Sequence, residues 1–212
     1  KELLQAQLEE LGLSVPVRYR KITTASDADD LLRHLSGAIA GDGLSAFVFN
    51  FVDLLTHGRS ESAILYEVAR DEPALRALTT QWVQRSALFT LLQDAARRGI
   101  KVVITTDHGS LHCNTPATVF AKRDATNNLR YKFGEDLRAE RTEHALLFTN
   151  PDDLRLPHRG PSMNTLLATG DTFFVYPTKL REYQQRYRGS FLHGGVTPEE
   201  CILPVSLLTP RR

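Results

Sequence analysis

Leu44 to Val52 reads Leu-Ser-Ala-Phe-Val-Phe-Asn-Phe-Val, an almost uninterrupted apolar run. Such a run predicts a strand that is buried on both faces, as in a parallel sheet. A second apolar run, Ile100 to Thr105, comes after a helical pattern at about Leu75 to Arg98 and after Gly99, a residue that suits the end of a helix. The order strand, helix, strand predicts a βαβ unit with a right-handed crossover.

On either side of the predicted βαβ unit, the patterns of apolar residues are shorter. Helical spacing predicts helices at Lys1–Leu11, about Glu61–Arg70 and Lys179–Tyr187. Short apolar or alternating runs predict strands at Val17–Ile22, Val119–Lys122, His144–Thr149, Thr172–Tyr176 and Cys201–Leu208. Arg123 to Arg141 is interpreted as a polar excursion or lid. Because no internal repeat or low-complexity linker interrupts residues 1–212, we predict one α/β domain with a mostly parallel sheet flanked by helices.

The composition is that of an ordinary globular chain of 212 residues, with 42% hydrophobic and 24% charged residues. Lys plus Arg is 26 and Asp plus Glu is 25, so the net charge of +1 gives no global electrostatic argument for binding nucleic acid. No apolar run approaches the roughly 20 residues that cross a bilayer, and no signal peptide is recognisable. We expect a cytoplasmic protein in which Cys113 and Cys201 are separate thiols; the alternative is a single disulfide between them.

Aspartate and histidine side chains follow several of the strand-like runs. They are Asp53 and His57, then Asp107 and His108, then His193. Side chains at the C-terminal ends of strands line the ligand sites of open α/β sheets. Carboxylate oxygen and imidazole nitrogen are the ligands that zinc or manganese takes in proteins. These residues are therefore candidate metal ligands.

Each set also has an interpretation without a metal. Asp53 and His57 are four residues apart and would share one face of a helix, but Asp53 could instead be a helix N-cap and His57 a surface residue. Asp107 and His108 precede Gly109, which suits a tight loop around an ion and equally a plain turn. His193, followed by two glycines, could belong to a turn before a helix.

The three sets together form a longer pattern. The stretches that carry it are Phe49-Asn50-Phe51-Val52-Asp53, Ile104-Thr105-Thr106-Asp107-His108-Gly109, Thr126-Asn127-Asn128-Leu129-Arg130-Tyr131-Lys132, and His193-Gly194-Gly195 followed by Glu199-Glu200. The pattern resembles the metal-ligand signature of the alkaline phosphatase superfamily. Within that superfamily it is most similar to the PglZ domain, as carried at the C-terminus of PorX-type response regulators. The resemblance extends from Lys1 to Pro210.

The resemblance implies an alkaline-phosphatase-like fold with two zinc ions at the C-terminal edge of the sheet. Asp53, His57 and His193 would hold one zinc, and Asp107 and His108 would supply half of the second site. In the family a further Asp ligand and a Thr nucleophile lie N-terminal to everything matched here. We therefore expect this chain to be the C-terminal portion of a PglZ domain, with its nucleophile upstream of Lys1, and to be inactive or nearly so by itself.

The Thr126 to Lys132 stretch is the candidate for substrate contact. Asn127, Asn128, Arg130 and Lys132 offer amide donors and positive charge to a phosphodiester or nucleotide, and Tyr131 offers a stacking ring. Lys122, Arg123 and Arg138 would widen the positive field. The alternative is a solvated loop without a ligand.

The resemblance implies a metal-dependent phosphoric-ester hydrolase, a phosphodiesterase on oligonucleotides or cyclic nucleotides, acting as the effector of a two-component response regulator. The alternative is a non-catalytic signalling output domain with a structural metal, acting in control of type IX secretion through the surface of the Leu75–Arg98 helix. The partners implied are a receiver domain in cis, a sensor kinase and a sigma factor, with a homodimer in the full-length protein. Phosphomutase and sulfatase chemistry use the same ligand set and stay open.

Overall fold

The computed structural model describes residues 2–39, 43–59, 62–122, 125–150, 155, 160 and 162–211. In chain order, its helices and strands are α1 (Glu2–Glu10), β1 (Val17–Ile22), α2 (Ala25–Arg33), α3 (Leu35–Ala38), β2 (Leu44–Phe49), α4 (Phe51–Arg59), α5 (Ala63–Val68), α6 (Glu72–Arg85), α7 (Ala87–Arg97), β3 (Val102–Thr105), β4 (Leu111–Cys113), β5 (Thr115–Phe120), β6 (Tyr131–Glu135), β7 (Arg138–Ala139), β8 (Ala145–Phe148), β9 (Met163–Ala168), β10 (Thr172–Val175), α8 (Leu180–Tyr187), β11 (Ser190–Leu192), α9 (Pro198–Cys201) and β12 (Val205–Leu208).

Contacts divide the chain into two compact units. Residues 1–55, 73–104 and 205–212 form the first unit, and residues 56–72 and 105–204 form the second. The sequence-based prediction of one domain spanning 1–212 stays a prediction. Each unit is described by itself.

The first unit is built on a parallel strand pair covered by two helices. β1 pairs with β2 from Val17↔Leu44 to Ile22↔Phe49. Both ends of β1 are buried, and the side chains between them are intermediate or exposed. The helices α2 and α7 present apolar residues to this layer, because their apolar positions recur at helical spacing. The core so formed contains Ile22, Leu31, Ile39, Ala87, Leu91 and Ala95.

The expectation that the two apolar runs are buried on both faces was wrong. Val48 of β2 and Ile104 of β3 are exposed, and Val103 keeps 60% of its accessible surface. The βαβ unit was also wrong, since β2 pairs with β1 whereas β3 lies beside β12. An apolar run favours a strand, but it does not specify which strand lies alongside or what covers each face.

The predicted helix from Leu75 to Arg98 is two helices, α6 and α7, in the structure. Ser86 separates them with an extended backbone (φ −96°, ψ 168°). Its hydroxyl donates a hydrogen bond to the carbonyl oxygen of Val83 at 3.1 Å. A serine hydroxyl competes with helical backbone bonds in this way, so the break has a local cause that a periodicity argument overlooks.

The second unit contains small mixed and antiparallel sheets. β6, β9 and β8 form an antiparallel sheet, β4 pairs antiparallel with β11, and β5 lies between β10 (parallel) and β7 (antiparallel). Within the described residues, the mostly parallel sheet expected from the sequence is therefore not formed, although the chain is α/β. Antiparallel strands can be joined by short connections, whereas parallel strands need a long crossover.

The polar segment from Arg123 to Arg141 is not a lid in the structure. Its second half forms β6 and β7, whereas Arg123 lies outside the described residues. Lys132 and Gly134 alternate as buried residues of β6, as expected for a strand with one face on a core. The core that they adjoin contains Ala117, Val119, Ala125, Leu137, Ala145, Leu166, Ala168 and Phe174.

Most of the other short elements agree with the sequence patterns. The strand at Val17–Ile22 is confirmed at both ends, and β5, β8, β10 and β12 lie within or overlap their predicted ranges. Glu61 lies outside the described residues, and α5 begins at Ala63. β9 had no counterpart among the sequence predictions. Cys113 is buried, Cys201 is exposed, and both are free thiols. None of the helices in the described ranges is long and apolar enough to span a membrane.

Candidate metal centre

Helix α4 begins directly after β2 and carries two of the candidate ligands. Phe51, its first residue, stacks on the Trp82 ring with centroids 4.4 Å apart, which holds the start of the helix in the first unit. Asp53 lies in the first helical turn and His57 one turn later. The two residues are four positions apart in one helix, so their side chains lie on one face of it.

The third candidate ligand follows the end of strand β11. β11 is buried along its whole length and pairs with β4, and these contacts hold its C-terminal end in place. His193 follows at once. Its Nε2 lies 3.2 Å from Nε2 of His57, and the two rings are nearly perpendicular, at 76°. The two imidazole nitrogens are therefore adjacent in space, although 136 residues separate them in the chain.

The ligand atoms of Asp53, His57 and His193 all lie within 4.8 Å of one another. One carboxylate and two imidazoles form a donor set that suits zinc, and three protein ligands leave a position open for water or substrate, as in catalytic zinc sites. Helix geometry supplies two donors and a separate strand supplies the third. The side chains present thus fit a metal ion.

Asp107 and His108 lie beside this group without joining it. The His108 ring stacks on His193 with centroids 3.9 Å apart and an interplanar angle of 14°. Its Nδ1 is 3.1 Å from the carbonyl oxygen of Gly109, and its Nε2 is 3.9 Å from the Asp107 carboxylate. The Asp107 side chain is 91% exposed. The half-site proposed for these two residues stays a prediction.

The structure buries Arg130, a candidate substrate contact. Its exposed fraction is 0%. Nε and Nη2 donate to the Glu200 carboxylate at 2.9 and 2.5 Å, and Nη1 donates to the carbonyl oxygens of Gly170, at 2.9 Å, and Thr172. The guanidinium is thus engaged within the protein, so a substrate role for Arg130 stays a prediction.

Lys132 is buried as well, with 1% of its surface exposed. Its ammonium group donates to the carbonyl oxygen of Thr126 at 2.9 Å and lies over the Tyr176 ring, 4.8 Å from the centroid. Burial lowers the pKa of Lys132 from 10.5 to about 8. Removal of the ammonium group from water disfavours its charged form, which accounts for the direction of this shift.

The two asparagines of the Thr126 to Lys132 stretch differ in their exposure to solvent. Asn127 is exposed and Asn128 is partly buried. Oδ1 of Asn128 accepts hydrogen bonds from the backbone N–H groups of Arg130 and Tyr131, at 2.7 and 3.2 Å. Asn128 therefore shapes its own turn, and Asn127 is the member of the set that faces solvent.

The surrounding positive field is smaller than the sequence implies. The Lys122 ammonium group lies 2.7 Å from the Glu135 carboxylate and 2.8 Å from that of Asp136, so its charge is balanced locally. The Arg138 guanidinium lies 4.3 Å above the centre of the Phe120 ring. Burial raises the pKa of the Cys113 thiol to about 12.

Glu200 is named in the sequence analysis within the family motif but is assigned no role there. It is buried and contacts Arg130 together with the 193–197 loop. The order Thr197-Pro198-Glu199-Glu200 is a capping-box pattern, in which a Thr and a Glu three positions later bind each other's backbone N–H groups. The structure contains that capping box at the start of α9. This local signal could have identified Glu200 before the structure was known.

Two comparisons with known proteins bear on this chain. No curated protein matches the chain. The sequence matches the family described as the BREX system PglZ alkaline phosphatase-like domain over residues 1–207, nearly its whole length. This agrees with the resemblance seen in the motifs, and the likeness to PorX-type regulators stays a prediction. The chain belongs to the PglZ family of alkaline phosphatase-like domains.

Proposed function

We propose that this chain is the metal-binding part of a metal-dependent phosphoric-ester hydrolase that acts on phosphodiester bonds of oligonucleotides or cyclic nucleotides. The observation that carries the proposal is the mutual approach of the Asp53, His57 and His193 ligand atoms within 4.8 Å. Family membership supports the reaction class, since an alkaline phosphatase-like domain favours a phosphoesterase-type hydrolase. The substrate and the zinc are parts of the proposal.

The role of the chain's own residues follows from their chemistry. The Asp53 carboxylate contributes a negative charge and one hard oxygen, and the two imidazoles contribute neutral nitrogens. A bound zinc supplies Lewis-acid stabilisation of the negative charge that develops on phosphoryl oxygens. Asn127 is exposed and offers an amide to a phosphate or base. We assign the nucleophile to no residue of this chain.

Metal content tests the proposal directly. The purified chain should contain zinc by elemental analysis, and Asp53→Ala and His193→Ala should each lose it. His34→Ala is the matched control, because His34 is an exposed histidine at the end of α2. In the zinc-loaded chain, titration calorimetry should detect binding of a nucleoside monophosphate, the product class, and Asp53→Ala should abolish that binding. Equal zinc content in the wild type and both ligand variants would refute the proposal.

A further inference from the structure

Three motifs that are distant in sequence meet at Glu200. The residue is 4% exposed, and its carboxylate accepts hydrogen bonds from Nε and Nη2 of Arg130, at 2.9 and 2.5 Å. Arg130 is 0% exposed. The two side chains form a buried, two-point ion pair between a guanidinium and a carboxylate, an arrangement that restricts both distance and orientation.

The same carboxylate holds the loop that follows His193. Oε1 accepts a hydrogen bond from the backbone N–H of Gly195 at 2.8 Å. Oε2 accepts from the N–H of Thr197 at 3.1 Å and from its hydroxyl at 2.9 Å. A Cβ at residue 195 would come within 2.5 Å of Nη2 of Arg130, so only glycine lets the loop approach the ion pair this closely.

The backbone of Glu200 holds the loop that contains Asp107 and His108. Its carbonyl oxygen accepts a hydrogen bond from the N–H of Gly109 at 3.0 Å. A Cβ at residue 109 would lie 1.9 Å from the carbonyl oxygen of Glu199, which explains why glycine occupies this position. Glu200 thus contacts the loop that follows His193 and the loop that contains His108.

Tyr131, which follows Arg130 in the chain, contacts the same loop after His193. Gly194 has a φ of +106°, a backbone conformation that glycine adopts readily, and a Cβ there would be 2.8 Å from the Tyr131 ring. Tyr131 is itself held by Asn128, which accepts its N–H. The conformation of the residues after His193 is therefore determined from two sides, by the Tyr131 ring and by the Glu200 carboxylate.

We infer that Arg130 and Glu200 are positioning residues for the metal centre, which hold the His193 loop and the His108 loop in the geometry that metal binding requires. The inference rests on the proposed function. It assigns the positive charge of Arg130 to building the site rather than to binding substrate. Residues that orient metal ligands typically change metal affinity by about 10- to 100-fold when they are replaced.

The charge state of Glu200 agrees with this role. Burial by itself raises the pKa of Glu200, but the hydrogen bonds from Arg130, Gly195 and Thr197, together with the positive charge of Arg130, lower the pKa by more, and the net direction is downward. The carboxylate is ionised at neutral pH and accepts all of these bonds. Replacing one partner alone would leave a buried charge without compensation.

Two variants separate positioning from simple loss of stability. Glu200→Gln keeps the shape but cannot accept both bonds from Arg130. The double variant Arg130→Met, Glu200→Met removes the buried charges together, which often leaves stability unchanged or higher, while the hydrogen bonds to Gly195 and Thr197 are still lost. Leu137→Ala is the matched control, because it makes a cavity in another part of the second unit without touching the ion pair.

Two readouts are measured on each variant. The first is the dissociation constant for zinc alone, by competition with a chromophoric chelator. The second is hydrogen–deuterium exchange of the amides of Gly109, Gly195 and Thr197 in the metal-free chain. We expect both variants to bind zinc about 10- to 100-fold more weakly than the wild type and to exchange these amides faster. Leu137→Ala should keep the zinc affinity of the wild type.

The outcomes distinguish this inference from the proposed function. If the wild-type chain binds no zinc, the proposed function fails, and a positioning role for a zinc centre fails with it; the exchange rates of the metal-free chain then decide separately whether the ion pair holds the two loops. Unchanged exchange at all three amides in both variants would overturn the inference. A double variant that has the zinc affinity and amide protection of the wild type would also overturn the inference, because the ion pair would then serve stability alone.

Discussion

Arg130 and Lys132 show how far a side chain's function depends on its burial. Both are cations in a polar stretch, and in sequence they resemble contacts for a phosphate. In the structure both are buried: Arg130 binds Glu200, and Lys132 binds a backbone carbonyl and lies over an aromatic ring. A charge that is removed from water must be compensated within the protein, so these groups are engaged before any ligand arrives.

The buried amine of Lys132 leads to a prediction about pH. Its pKa in the folded chain is about 8, below its ordinary 10.5. Between these two values the unfolded chain binds more protons than the folded chain, so the contribution of Lys132 to stability rises as the pH rises. The free energy of unfolding of the wild type, relative to Lys132→Met, should increase by up to about 3 kcal/mol between pH 8 and 10.5.

Urea unfolding of the two proteins at pH 7.5, 9 and 10.5 measures this difference. Lys101→Met removes an exposed ammonium group and controls for the loss of one positive charge. A difference between the wild type and Lys132→Met that stays constant, or falls, as the pH rises would contradict the assignment.

At the scale of elements, local signals account for the starts and ends of helices. Thr24 is the N-cap of α2, and its hydroxyl accepts the N–H of Asp27 at 3.1 Å. Oδ2 of Asp27 accepts the N–H of Thr24 in return, at 2.8 Å. Hydrogen bonds from Thr23 and Thr24 hold the pKa of Asp27 well below its usual value, so the carboxylate is charged beside the positive end of the helix.

Removing this cap should weaken the first unit. We expect Thr24→Ala to lower the free energy of unfolding by about 1 kcal/mol, because a backbone N–H loses its acceptor. Thr80→Ala is the control: the Thr80 hydroxyl bonds a carbonyl within α6, and alanine has the higher helix propensity. Urea denaturation of both variants gives the comparison, and equal losses of stability would show that the cap is not the cause.

At the scale of the whole molecule, metal binding and folding are expected to be linked. A ligand that binds only the folded chain stabilises it by about 2.7 kcal/mol at a free concentration of 100 times its dissociation constant. Zinc should therefore raise the Tm of the wild-type chain, and a chelator should reverse the rise. The histidine pair His57 and His193 is not formed in an unfolded chain, since 136 residues separate the two.

Thermal unfolding with and without zinc tests this linkage. Asp53→Ala and His193→Ala should show no rise in Tm, and His34→Ala should behave as the wild type. A rise of equal size in all four proteins would mean that zinc binds elsewhere, for example at surface histidines, and would count against the proposed site.

The family and the ligands on one helix were accessible from the sequence, because both depend on short, local patterns. The motifs around Asp53, Asp107 and His193 led to the PglZ family, which the match over residues 1–207 establishes. The spacing of Asp53 and His57 predicted a shared helical face, and both lie in α4. Backbone conformation in a helix is set by near neighbours, so four-residue spacing is sufficient to place one side chain above the other.

Only the tertiary structure decided which strands pair, which cations are buried and how His193 comes to face His57. The apolar runs at Leu44–Val52 and Ile100–Thr105 indicated strands but not their neighbours, and β2 and β3 proved to pair with β1 and β12. Likewise, the charge of Arg130 is visible in the sequence, whereas its partner Glu200 lies 70 positions away. Pairing and burial depend on contacts between distant parts of the chain, and the free energy of those contacts is not contained in any local pattern.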